Sequence, residues 1–213
     1  MVDKLKSVMT KIWDQIDEAR FAETYDERKQ LITIPIRELQ RLLDAGYKDA
    51  LYPLGYAYYA HPDRRPGSPE VDLTENYLIQ AITEGVEADL SRLYLAYHYH
   101  DFHRFEDSSK IIAQVDKNVL GETLMIRCSE LELCNQLLTG DENENDFPKL
   151  LATYAEIIAA LSEPDIPPIL LIDTLETLFE LGKLPMSCLP SLMQLDDAYI
   201  KMMGDQWFRK LIS

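Results

Sequence analysis

Apolar residues recur along this chain at three- and four-residue steps and almost nowhere in strict alternation. Val8, Ile12, Ile16, Ala19 and Ala22 form one such stripe, which predicts a helix over about 3–23. The charged stretch Asp26 to Gln30 opens a second helix. Pro35 either interrupts it or sits in the first turn of a new one capped by Thr33. Ile36, Leu39, Leu42 and Leu43 continue the stripe and stop at Gly46, a residue suited to a left-handed C-cap. Asp49 is placed to cap the next helix, which runs to about Ala60 with Pro53 in its early turns.

The segment His61 to Pro69 holds three prolines and a glycine and reads as a loop. Helices are expected next at about 73–84 and 87–99, punctuated by Gly85, then near 106–115 and 120–138. Thr139 to Asp146 is an acidic loop. A helix to about Leu161 follows, with Pro148 in its first turn, then a turn at Pro164 to Pro168. Ile169 to Leu181 is a very apolar helix ended by Gly182, and helices at about 187–203 and 205–212 close the chain. Ile32-Thr33-Ile34 is the sole β-like triplet and is too short to matter. The expectation is an all-α chain of one domain, 1–213, with stacked antiparallel helical hairpins over 25–138 and a C-terminal helical cluster over 147–213.

A shift of 39 residues superposes two segments. Leu39 falls on Leu78, Gly46 on Gly85, Leu51 on Leu90, Leu54 on Leu93, Ala57 on Ala96, Tyr58 on Tyr97 and His61 on His100. Each segment is a helix, a glycine turn and a second helix, and such pairs bury their apolar stripes by stacking on neighbours. The first carries Gly46-x3-Ala50-x3-Leu54-Gly55-x2-Tyr58. In these residues the chain resembles the Sel1-like branch of the tetratricopeptide repeat superfamily. The resemblance covers about 39–115, and the proline-rich loop at 62–69 suits the longer connections of that branch. The second segment keeps Gly85, Leu93 and Tyr97 but departs from the pattern at Asp89 and Tyr94. The resemblance implies a non-catalytic scaffold that binds a protein on a concave or edge surface.

Charge narrows the partners. The net charge is −16, so a phosphate backbone or an anionic membrane surface is repelled and a basic protein is attracted. Between 121 and 180 two basic residues, Arg127 and Lys149, face thirteen acids, leaving −11. No apolar run approaches the ~20 residues that span a bilayer. The N-terminus is amphipathic rather than a signal sequence. Cys128, Cys134 and Cys188 are an odd number at irregular spacing, which points to reduced thiols and a cytoplasmic address.

Catalytic patterns are missing. There is no phosphate-binding glycine loop, no nucleophile elbow and no Cys-x2-Cys pair. His98, His100 and His103 form the best metal candidate, in which His100 and His103 could share a metal with Asp101 or Asp107. His98 and His100 point about 200° apart on a helix, so the cluster reads as a polar and aromatic helix end before it reads as a site. Cys128 and Cys134 lie in an acidic, apolar helix that raises a thiol's pKa. No metal, cofactor or enzymatic activity is expected.

The function expected from these features is binding. An acidic inhibitor, an immunity or antitoxin protein that masks a basic toxin such as a nuclease, fits the small size, excess acid and helical scaffold. A helical-repeat adaptor or chaperone is the alternative, and a metal-dependent enzyme using His98, His100 and His103 the second. The partner-binding candidates are Glu130, Glu132, Asp141, Glu142, Glu144 and Asp146 for steering, with Tyr56, Tyr59 and Tyr94 as anchors.

Overall fold

The computed structural model describes residues 2–117, 119–139, 146–160, 167–203 and 207–211. Every regular element among them is helical. They fall into two compact units, Met1–His103 and Arg104–Ser213. The division lies inside the 25–138 span expected to be one repeat array. No helix among the described residues is long and apolar enough to cross a membrane.

The first unit holds α1 (Val2–Phe21), α2 (Tyr25–Asp44), α3 (Leu51–Tyr59), α4 (Pro69–Glu84) and α5 (Ala88–Asp101). Each packs against the next, and α3 also meets α5. The α1 stripe behaves as its spacing predicts: Ile12, Ile16 and Ala19 are fully buried. Thr24 caps α2, its Oγ1 accepting the Glu27 N–H at 3.2 Å.

Pro35 neither breaks α2 nor restarts it. It sits buried inside one continuous helix among Ile32, Ile36 and Leu39. An interior proline forfeits a backbone hydrogen bond at roughly 3 kcal/mol, and burial of that apolar face outweighs it. Thr33 is accordingly no cap; its hydroxyl donates back to the Lys29 carbonyl at 2.7 Å. Asp49 does not cap α3 either. It lies inside a 3-10 turn, Lys48–Ala50, that leads into the helix. The 61–69 loop is shorter than expected, because Pro69 is already the first residue of α4, a position where its missing N–H costs nothing.

Part of the 39-residue offset maps onto equivalent places, whereas His61 lies in the loop after α3 and its counterpart His100 is buried inside α5. Gly46 and Gly85 both end helices with φ of 88° and 72°, the left-handed region that glycine enters without strain. Leu39 and Leu78, Leu54 and Leu93, and Ala57 and Ala96 are all fully buried. Gly55 has a different reason. A Cβ there would stand 2.8 Å from Leu78 Cδ2 and 3.1 Å from the Leu78 backbone nitrogen. It marks the closest approach of α3 to α4.

The second unit holds α6 (Phe105–Ile112), α7 (Glu122–Thr139), α8 (Phe147–Ala159), α9 (Ile169–Glu180), α10 (Leu189–Met203) and the short α11 (Trp207–Lys210). α7 packs on α6, α8 and α9, while α10 packs on α8 and α11. Leu133, Leu137, Leu151, Ile158, Leu175, Leu192, Leu195 and Phe208 belong to one buried cluster. So α7, expected to end the repeat array, shares a core with the C-terminal helices.

Candidate functional site

Tyr52, Tyr56 and Tyr59 stand at i, i+4 and i+7 on α3, so they share one helical face. That face meets Trp13 of α1 and Tyr94 of α5. Trp13 lies 5.7 Å from Tyr52 and 5.5 Å from Tyr56 between ring centroids. Tyr94 meets Tyr56 edge-on at 4.6 Å and Tyr59 edge-on at 5.5 Å, and Tyr97 follows at 6.3 Å. Edge-to-face packing is the arrangement aromatic quadrupoles favour. Tyr58 leaves α3 on the other side. Its hydroxyl accepts from Gln40 of α2 at 2.8 Å and its ring stacks on Tyr77 of α4.

Of the expected anchors, Tyr59 and Tyr94 are half-buried, as are Trp13 and Tyr97. Tyr56 is only 4% exposed, so it supports the face from beneath and is not a surface anchor. Burial raises the phenol pKa of Tyr52, Tyr56 and Tyr59 above the ordinary value of 10.0. All three are therefore neutral hydroxyls at physiological pH.

Two arginines of the same unit lie on this face. The Arg64 guanidinium carbon is 4.2 Å from the Tyr59 centroid, and one of its terminal nitrogens donates to Asp101 at 2.6 Å. Its Nε donates to the Tyr59 carbonyl at 2.7 Å, which ties the 61–69 loop to α3. The Arg20 guanidinium carbon is 5.4 Å from the Tyr56 centroid, with Asp17 at 3.5 Å.

The acidic candidates part company. Glu130 is 2% exposed, so it does not belong to a docking surface. Its Oε1 accepts the Leu171 N–H at 3.0 Å. Residue 168, which precedes α9, is a proline whose side chain cannot cap, and Glu130 of α7 supplies the missing acceptor. Burial drives its pKa up to about 7, against the opposing pull of the Leu171 and Leu170 amides and of Arg127. The signal was in the sequence: Pro167-Pro168-Ile169 offers no Ser, Thr, Asp or Asn at the start of α9. Glu132 is half-buried and ion-paired with Lys117. Asp146 is exposed at the start of α8. Asp141, Glu142 and Glu144 lie outside the described residues.

A second buried acid, with no sequence pattern to mark it, plays the same part. Asp196 of α10 accepts the Phe208 N–H at 2.7 Å and the Arg209 N–H at 3.1 Å, and pairs with Arg209 Nε at 2.7 Å. It holds the first turn of α11 as Glu130 holds that of α9.

The histidines separate as well. His98 and His100 are buried in α5, while His103 lies beyond the helix with φ of 58°. Among the described residues, the ligating atoms that gather within 4.8 Å are those of His61, Asp63 and Glu70. Asp63 is already engaged: Lys29 Nζ is 2.8 Å from one oxygen and the Tyr25 hydroxyl donates to the other. His61 Nδ1 accepts the Asp63 N–H at 3.1 Å. Desolvation lowers the His61 pKa, partly offset by Glu70. A cation here would have to displace Lys29 and free a ring nitrogen. The three cysteines are buried. Burial raises the Cys134 pKa well above its ordinary value, and that of Cys188 to about 11, so neither is a ready thiolate.

No protein-family model, curated protein or solved structure matches this chain.

Proposed function

We propose that this chain is a non-catalytic inhibitor that binds a basic protein, in the manner of an immunity or antitoxin protein masking a cationic toxin such as a nuclease. The observation that carries the reading is the aromatic face of α1, α3 and α5, with half-buried Trp13, Tyr59, Tyr94 and Tyr97, set in a chain of net charge −16. Half-buried tyrosine and tryptophan are the side chains that most often dominate binding energy, because they bury large area at small entropic cost. Excess negative charge speeds encounter with a cationic surface. Enzymes that act on nucleic acid present such surfaces. Glu132, Asp146, Asp141, Glu142 and Glu144 supply part of the steering field, and Tyr59 and Tyr94 hold the complex.

The test is co-expression with the product of the adjacent gene. The neighbouring protein is expressed alone and together with this chain, and cell survival is scored. The inhibitor reading expects toxicity alone and rescue by the pair. A toxic neighbour that this chain binds but does not neutralise would move the assignment to an adaptor. That second reading is favoured by one observation, the recurrence of helix–glycine–helix pairs at an offset of 39 residues. A neighbour that is neither toxic nor bound would end the inhibitor reading.

A further inference from the structure

The tyrosine face carries the same three-part arrangement twice: a guanidinium over a tyrosine ring with an aspartate beside it. In the first copy, Arg64 lies 4.2 Å from the Tyr59 centroid and 2.6 Å from Asp101. Its side chain is 14% exposed, and a further hydrogen bond to the Tyr59 carbonyl fixes it. In the second, Arg20 lies 5.4 Å from the Tyr56 centroid and 3.5 Å from Asp17. Here the arginine is 44% exposed and its aspartate 56%. In the first copy the arginine is enclosed and tied to the backbone, while Tyr59 itself is half-buried. The second has the same chemistry and longer distances, and its ion pair is open to solvent above a Tyr56 ring that is 4% exposed.

We infer that the second copy is a docking position for an arginine of a basic protein partner, and that Arg20 holds its place in the unbound protein. The inference rests on the reading of this chain as a binder of basic proteins and names the side chain it recognises. A planar guanidinium can lie flat on a tyrosine ring and present its fork to a carboxylate at once; an ammonium cannot do both. Arg20 is held by an exposed ion pair and a long ring contact, both weak in water. An incoming arginine can therefore displace it. The place that Arg20 leaves lies over the Tyr56 ring, with Trp13 beside that ring at 5.5 Å between centroids. Asp17 remains to receive the newcomer, with exposed Asp14 and Glu18 on the same helix. The net charge of −16 favours a cationic occupant over an acidic or neutral one.

The experiment uses the full chain and two synthetic twelve-residue peptides, one alternating arginine with serine, the other lysine with serine. Binding is measured by titration calorimetry at physiological salt. The arginine peptide should bind about five-fold tighter or more than the lysine peptide. Arg20→Gln should tighten the arginine peptide further, by about three-fold, through loss of the placeholder. Lys11→Gln makes the same charge change at an exposed position of α1 and should produce a smaller gain, common to both peptides. Equal affinity for the two peptides would overturn the inference, as would an Arg20→Gln effect no larger than that of Lys11→Gln. Either result would leave the inhibitor reading to its survival assay. Failed rescue beside intact arginine selectivity would sink that reading and keep this one.

Discussion

Glu130 on α7 and Leu171 on α9 are forty-one positions apart in sequence, and a 3.0 Å hydrogen bond joins the carboxylate of one to the amide of the other. A helix that starts after two prolines has orphan N–H groups and no side chain of its own to satisfy them. The acceptor comes from a neighbouring helix, and its burial has a measurable consequence.

That consequence is pH dependence. The Glu130 pKa is raised from 4.5 to about 7, so the folded protein keeps a proton that the unfolded chain releases. The stability this confers is fully present below about 4.5 and is lost as pH rises through about 7. Glu130→Gln keeps an oxygen acceptor for Leu171 and cannot ionise. The variant should gain on the parent as pH rises from 5 to 8, by at most about 3 kcal/mol. Urea unfolding at several pH values checks it, and a difference that stays flat or narrows toward pH 8 would contradict the assignment.

Asp196 makes the parallel case at the start of α11. It accepts two amides of α11 and pairs with Arg209, at 2% exposure. Asp196→Ala leaves those donors unsatisfied and should cost about 2–4 kcal/mol. Trp207 lies in α11 itself, so its fluorescence should report early loosening of that turn. An unchanged unfolding midpoint would show that α11 is held by other contacts.

Gly55 tests the packing of α3 on α4. Alanine is normally the better helix former by about 1 kcal/mol. Here its methyl would meet Leu78 at 2.8 Å and the Leu78 backbone nitrogen at 3.1 Å. A side-chain tip can swing away, but backbone moves only with its helix. Gly55→Ala should destabilise by about 1–3 kcal/mol, read as a lower midpoint in thermal unfolding. A stabilised variant would mean that α4 can shift at little cost.

Period and punctuation carried most of the fold. The α1 stripe, the left-handed Gly46 and Gly85, and the loop before α4 follow from residue type and spacing alone. Pro35 did not, because its local cost is outweighed by burial that depends on a neighbouring helix. The missing cap before α9 is legible, but the parts of Glu130 and Asp196 are not, because a carboxylate looks the same in sequence whether it faces water or a helix start forty-one or twelve residues away. Tyr56 and Tyr59 share a helical face, yet only contact with α1 and α5 decides which one stays accessible. The His61, Asp63 and Glu70 grouping was hidden for a similar reason. The loop at 61–69 was legible as a loop, and how it folds back was not.

The acidic stretch and the tyrosine face should act on different stages of binding. Asp141, Glu142 and Glu144 fall in the interval between α7 and α8, where the chain's charge is most concentrated. Charges of that kind act at a distance, before contact, over a screening length of about 8 Å at physiological salt. Their reversal to lysine should therefore lower the association rate of a basic partner while leaving dissociation nearly unchanged. The association rate of the parent should fall as salt rises, and that of the triple variant should fall less. Tyr59 and Tyr94 act only after contact, when their half-buried rings are covered. Tyr94→Ala should speed dissociation, at about 1–2 kcal/mol of affinity, with little effect on association. Surface plasmon resonance at two salt concentrations separates the four numbers. If the lysine reversals instead change dissociation and Tyr94→Ala changes association, the division of labour between field and face is wrong. If neither variant changes either rate, the partner docks elsewhere on the molecule.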